Sequence, residues 1–259
     1  MLELTGDILN WLAAGVVFPS MLIPLAVYAG GNRLNATTAW LVLIVVSILA
    51  GVLFSAFTPV LSLTPSSVQL MKFAGVCLLF IAIVIISGGV ANFAVAIRPA
   101  LEAVTRITAQ IVMWLLLFMA LVQFAVVVLR YVFGLNYIFM QESITYMHGA
   151  VFLLAAGYAL LTNDHVRVDI IYREASPKRK ALVDFLGTYL FLFPVCLLLL
   201  WTAAPYVGNS WAVGEGSNES SGIQAVFIIK SFIPAFAMLL AIAGFSIALR
   251  AGAVLKERA

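Results

Sequence analysis

From Ile107 to Phe133 the chain runs 27 residues without a glycine or a proline, and between Ile111 and Leu129 its only polar side chain is Gln123. As an α-helix this stretch is roughly 40 Å long, at ~1.5 Å per residue, against a hydrocarbon layer of about 30 Å. A helix apolar on every face has no place to hide in a small soluble core, whereas a bilayer accepts it. Apolar and polar residues do not alternate along it, so it is not a barrel strand. Inside lipid every backbone N–H and C=O must be paired within the segment, and that leaves a helix. Being too long for the hydrocarbon, it must tilt or protrude.

The same reading extends along the chain. Of its 259 residues, 64% are hydrophobic and 10% charged, the composition of an integral membrane protein. Apolar runs of spanning length occupy residues 8–29, 37–60, 70–97, 107–133, 142–162, 181–204 and 226–249, with short connections such as GGNRLN, LTPSS, RPALEAVTR and FGLNYIF between them. The expectation is an all-α integral membrane protein with seven transmembrane helices. The opening segment carries Glu3 and Asp7 and no basic side chain, unlike a secretory signal, and reads as a retained first span. Cys77 and Cys196 stand far apart inside apolar runs and read as packing residues, not as a disulfide or metal ligands.

Basic residues resist translocation, so their distribution orients the spans. With the C-terminus cytoplasmic, Arg33, Arg98, Arg106, Arg167, Arg173, Lys178, Arg179, Lys180, Arg250, Lys256 and Arg258 lie inside, and Lys72, Arg130 and Lys230 outside. An odd number of spans then puts the N-terminus outside. The main cytoplasmic loop falls between the fifth and sixth spans. Within it His165 and Asp169, and Asp169 and Arg173, are four residues apart, the spacing of a short amphipathic helix lying at the interface. Ser176 followed by Pro177 reads as an N-cap with proline at the first helical position. Lys178, Arg179 and Lys180 oppose the dipole of that helix, so helix stability does not explain them, and they are assigned to phospholipid headgroups.

Polar groups inside the spans are few: Asn92, Gln123, Glu142, His148, Asp184 and Lys230. Each is a candidate because desolvating it is expensive. Asp184 and Lys230 lie near an interface and reach water by extending along the span. Gln123 cannot do so and needs a hydrogen-bond partner in this chain or another. The basic balance is used for topology, which leaves nothing for nucleic acid. His148 and His165 sit in a span and a loop, a poor match to a pair of haem ligands. Lys230 lies at the mouth of its span, not deep in it as a retinal-binding lysine would. No phosphate-binding loop, dinucleotide fingerprint, nucleophile elbow or zinc motif is present, so no catalytic residue and no cofactor are expected. A carrier working alone would show paired Gly/Pro-broken helices around a polar midplane cluster, and Pro19, Pro24, Pro194 and Pro234 form no such pair. Three classes stay open: an accessory subunit of a larger transporter, a membrane anchor of an electron-transfer complex, and a self-sufficient carrier.

The segments FMQESITYMHGAVFLLAAGYALLTNDHVRVDIIY, SPKRKALVDFLGTYLFLFPVCLLL, NESSG and IIKSFIPAFAMLL resemble the small membrane subunit, DctQ-like, of tripartite ATP-independent periplasmic (TRAP) transporters. The resemblance runs from about Ile107 to Arg250 and divides the chain into an extra three-helix region, 1–100, and a four-helix small-subunit domain, 101–259. It departs from the family at Gly222-Ile223-Gln224, where a Gly-Leu-Pro-like turn is common, and at Gln141-Glu142, where paired carboxylates are common. It implies a bacterial inner-membrane scaffold without catalytic activity; the usual four-span form of the family has both ends cytoplasmic, and the three extra spans move this N-terminus to the periplasm. Its implied partners are a large elevator-type membrane subunit, which holds the substrate and sodium sites, and a periplasmic solute-binding protein. On that reading Gln123, Glu142, His148, His165, Arg167, Asp169, Glu219, Ser220 and Lys230 face the partner or the lipid beside it.

Overall fold

The computed structural model describes residues 17–30, 89–165 and 172–256. Expectations for the span at 37–60, for most of those at 8–29 and 70–97, for Cys77, and for the amphipathic segment with Arg167 and Asp169 lie outside these residues. The described elements are α1 (Phe18–Gly30), α2 (Val90–Val132), α3 (Ile138–Thr162), α4 (Pro177–Gly187), a π-helical turn (Thr188–Leu192), α5 (Phe193–Val213) and α6 (Val226–Lys256). All regular structure among the described residues is helical. Among the described residues four helical runs are long and apolar enough to cross a membrane: α2, α3, the continuous rod Pro177–Val213, and α6.

α6 is the centre of the bundle, packed against each of the other helices. Its buried positions include Ala237, Ala241, Ala243, Gly244, Ala248, Ala251 and Gly252. Small side chains let neighbouring backbones come close, which matters in a bilayer because lipid tails are as apolar as leucine and association rests on packing. α3 approaches the α6 backbone itself, where a Cβ on Gly157 would stand 2.8 Å from the Cβ and carbonyl oxygen of Leu239. Only a glycine allows that separation.

One expected connection is absent. The residues RPALEAVTR, read as a break between the third and fourth spans, lie inside α2, which runs unbroken for 43 residues with Pro99 within it. Ala100, Leu101, Glu102 and Ala103 are strong helix formers, and the charges that resembled a loop are spaced four apart. Arg98 and Arg106 both pair with Glu102 across one turn, which supports a helix instead of ending it. At ~1.5 Å per residue α2 is about 65 Å long, so its charged N-terminal part lies beyond the hydrocarbon.

The rod from Pro177 to Val213 begins as its sequence suggests: the Ser176 hydroxyl accepts from the Arg179 backbone N–H at 3.4 Å, with proline in the first turn. Its π-helical turn comes just before Pro194, which has no N–H to offer the preceding turn. Thr188 adds to the local rearrangement by donating its hydroxyl to the Asp184 carbonyl at 2.7 Å, a bond that competes with the backbone ladder. The turn presents Tyr189 to α1. Its hydroxyl donates to the Met21 carbonyl at 2.9 Å, one turn from Pro24, which lies inside α1 and leaves the Ser20 carbonyl without its helical donor. Tyr28, Phe185, Tyr189 and Phe193 stack in a ladder with successive ring centres 5.0, 5.0 and 5.2 Å apart. α1, from the region outside the resemblance, is thereby docked on the rod and α6.

Candidate functional site

Among the described residues the paired charged groups gather at the two ends of the bundle. At the α3 N-terminal end, the loop between α5 and α6 folds back on itself. The Ser217 N–H donates to the Ile223 carbonyl at 3.2 Å and the Val226 N–H to the Glu215 carbonyl at 2.9 Å. Glu142, in the first turns of α3, holds this loop from beneath. One carboxylate oxygen accepts from the Ser217 hydroxyl, and the other accepts from the Ile223 backbone N–H at 2.6 Å. Gly222 fits closely there: a Cβ would meet the Ser217 hydroxyl oxygen first, then the Ser217 Cβ at 2.6 Å and Glu142 Oε1 at 2.7 Å.

Lys230, at the start of α6, pairs with Glu215 of the same loop and lies 4.2 Å from the centre of the Tyr206 ring. The hydrogen bond from Lys230 is the largest influence on Glu215 and holds its carboxyl below the usual carboxylate range. Trp211 closes this end, donating its indole N–H to the Ser231 hydroxyl at 2.8 Å and packing 4.5 Å from the Phe227 ring. Glu219 and Ser220 are exposed on the outer side of the loop.

At the opposite end Glu102 of α2 is buried. It accepts from Arg98 Nε at 2.8 Å and from Arg250 of α6 at 2.7 Å, with Arg106 at 3.8 Å. Three guanidinium groups around one carboxylate leave the cluster positively charged. Nearby, Tyr172 donates its hydroxyl to Asp184 at 2.8 Å, and the Lys180 ammonium lies 5.4 Å from the Tyr172 ring centre. Lys178 and Arg179 are exposed.

Between the ends, α2 turns an apolar face outward: Trp114 is 65% exposed, Phe118 65%, Leu121 58% and Phe124 69%. Gln123 is exposed among them and has no hydrogen-bond partner among the described residues. His148 is exposed on α3, its ring 6.4 Å from that of Phe152. No group of three His, Cys, Asp or Glu able to hold a metal ion occurs among the described residues.

The structure thus separates the residues singled out by sequence. Gln123 and His148 lie on outward faces. Glu142 and Lys230, read as partner-facing, are engaged within the chain by the α5–α6 loop, because Ser217, Ile223 and Glu215 satisfy their charges. His165 is partly buried just beyond the end of α3, and Arg167 and Asp169 lie outside the described residues. Sequence reading missed Glu102, Arg250 and Glu215 as paired groups. The four-residue spacing of Arg98, Glu102 and Arg106 was the available signal for the first of them. The contacts of Arg250 and Glu215 join distant parts of the chain and left no local mark.

The family described as tripartite ATP-independent periplasmic transporters, DctQ component, matches residues 119–254, from the outward part of α2 to the last turns of α6. Neither curated proteins nor solved structures gave a match. More than half of the 259 residues are matched, and they include α3 and the rod Pro177–Val213 entire and α6 up to its last two residues. The chain therefore belongs to the DctQ family, the small membrane component of TRAP transporters.

Proposed function

We propose that this chain is the non-catalytic scaffold of a sodium-coupled, binding-protein-dependent importer of an organic acid or other small solute in the bacterial inner membrane. In this reading it braces a larger, elevator-type membrane subunit that carries the solute and sodium sites, while a periplasmic protein delivers the solute. The observation that carries it is Gln123, a polar amide on the outward face of a long apolar helix, with no partner among the described residues. In lipid such a group seeks a hydrogen bond from another helix, and the aromatic and aliphatic side chains around it provide the packing surface for that helix. Family membership supplies the kind of complex. The α3 N-terminal end of the bundle supports the reading in a second way: Glu142, Glu215 and Lys230 are engaged within the chain by the α5–α6 loop, which suits a part that keeps its shape while a neighbour moves.

The test is uptake into proteoliposomes containing this chain, the large membrane subunit encoded with it, or both, supplied with the binding protein and an inward sodium gradient. Uptake should require both membrane subunits. Uptake by this chain alone would make it a carrier and end the proposal. A stoichiometric haem absorption band in the purified complex would instead point to an electron-transfer anchor.

A further inference from the structure

A crevice of ≈ 410 Å³ opens between α1, α2 and α6 at the end of the bundle that carries the Glu102 cluster. Its walls combine two kinds of surface. Pro24, Val27, Val95 and Leu249 are apolar, while Arg98 and Lys256 bring positive charge. Glu102, which also lines it, is the acidic group there, and it is outnumbered: Arg98, Arg106 and Arg250 surround it. Adding Lys256, four cationic side chains are set against one carboxylate. Arg98 and Arg250 are each bound to Glu102 through one nitrogen, Nε and Nη2 respectively, and a guanidinium carries five N–H donors. Donors therefore remain for a second anion.

We infer that this crevice binds one anionic phospholipid, its phosphate held by Arg98 and Lys256 and its acyl chain lying along Val27, Val95 and Leu249. The argument is complementarity of charge and surface in one place. A soluble phosphate would be served by the cations and gain nothing from the apolar wall. A zwitterionic lipid would be served by the wall but carries no net negative charge for the surplus cations. Only an anionic lipid uses both. The site is distinct from Lys178, Arg179 and Lys180, which are not among its lining residues. It is built partly from α1, which lies outside the family match, and it does not depend on the transport reading.

The experiment is native mass spectrometry of the full chain released from nanodiscs of equal phosphatidylglycerol and phosphatidylcholine, counting retained lipids. The wild type should retain one phosphatidylglycerol in roughly tenfold preference over phosphatidylcholine, the ratio expected of a charge-selected site. Lys256→Ala should reduce retention several-fold. Because Arg98 also pairs with Glu102, Arg98→Ala could disturb the helix, so Val95→Trp serves as the second variant: Val95 is 73% exposed, and an indole there fills the crevice without removing a charge. It should abolish the retained lipid. Combined alanine replacement of Lys178, Arg179 and Lys180 should leave retention unchanged. Equal retention of both lipids, loss only in the triple variant, or unchanged retention in both Lys256→Ala and Val95→Trp would overturn the inference. So would displacement of the lipid by millimolar glycerol 3-phosphate, since that would show the acyl chain contributes nothing.

Discussion

Replacing Gly157 with alanine tests the packing on which the bundle depends. The added Cβ would stand 2.8 Å from Leu239 Cβ, 2.8 Å from its carbonyl oxygen and 2.9 Å from its carbonyl carbon. Carbon atoms rest at about 3.5–4.0 Å, and backbone atoms of α6 cannot rotate away, so α3 and α6 must part by roughly 0.5–1 Å. A buried leucine makes about 40–60 heavy-atom contacts of ~0.1–0.2 kcal/mol, and a gap of that size forfeits a quarter to a half of each contact it opens. If about half of the contacts of Leu239 face α3, the loss is about 0.5–3 kcal/mol, in line with the usual overpacking cost of about 1–3 kcal/mol. Alanine also gains helix propensity over glycine, and a matched control removes that gain from the comparison. Gly149→Ala lies on the same helix, and its Cβ would meet only the Ile229 side chain at 3.5 Å, an ordinary contact. Thermal unfolding of the purified full chain in detergent, followed by the loss of its monodisperse peak, should place Gly157→Ala below Gly149→Ala. The difference should be about 2–12 °C, from ~2–4 °C per kcal/mol for a chain of this size. Equal midpoints would refute the close approach of α3 and α6.

Three further outcomes follow from the ends of the bundle and the docking of α1. Glu142→Ala removes both anchors of the α5–α6 loop, so hydrogen exchange at the Ile223 amide should rise well above the wild-type rate while amides in the middle of α5 keep theirs; Glu142→Gln should fall between. Tyr189→Phe keeps the aromatic ladder and removes the bond to the Met21 carbonyl, costing about 0.5–1.5 kcal/mol, and should speed proteolytic release of the segment containing α1. Glu215 has its pKa lowered by folding, so its pairing with Lys230 contributes fully above the unfolded carboxylate pKa and is lost as pH falls through the lower folded value. Loop protection should therefore hold from pH 8 to about 5 and decline below about 4, and Glu215→Gln should weaken that dependence while leaving the part due to Glu142, whose carboxylate holds the same loop.

Local patterns carried much of this structure. The apolar runs marked α2, α3, α5 and α6, and the Ser176-Pro177 pair marked the start of α4, because both signals are confined to a few neighbouring residues. The unbroken passage of α2 through Pro99 was harder to see. A proline among charged residues reads as a break unless the four-residue spacing of Arg98, Glu102 and Arg106 is given more weight. The π-helical turn arises from the missing donor of Pro194 and from packing against α6, and periodicity over a window does not register one extra residue. At the candidate site, Gln123 was legible because mid-depth in a long span leaves an amide no water to reach. The engagement of Glu142 was not, since Ser217 and Ile223 are brought to it only by the α5–α6 loop.

Photo-crosslinking from the outward face of α2 tests the scaffold reading most directly. A photoreactive residue placed in turn at Trp114, Phe118, Leu121 and Phe124, in cells expressing the complete transporter, should give an adduct with one larger membrane polypeptide. The same probe at buried Val207 should give none. If all four outward positions yield only lipid adducts, or adducts within this chain, α2 braces nothing beyond itself and the account fails.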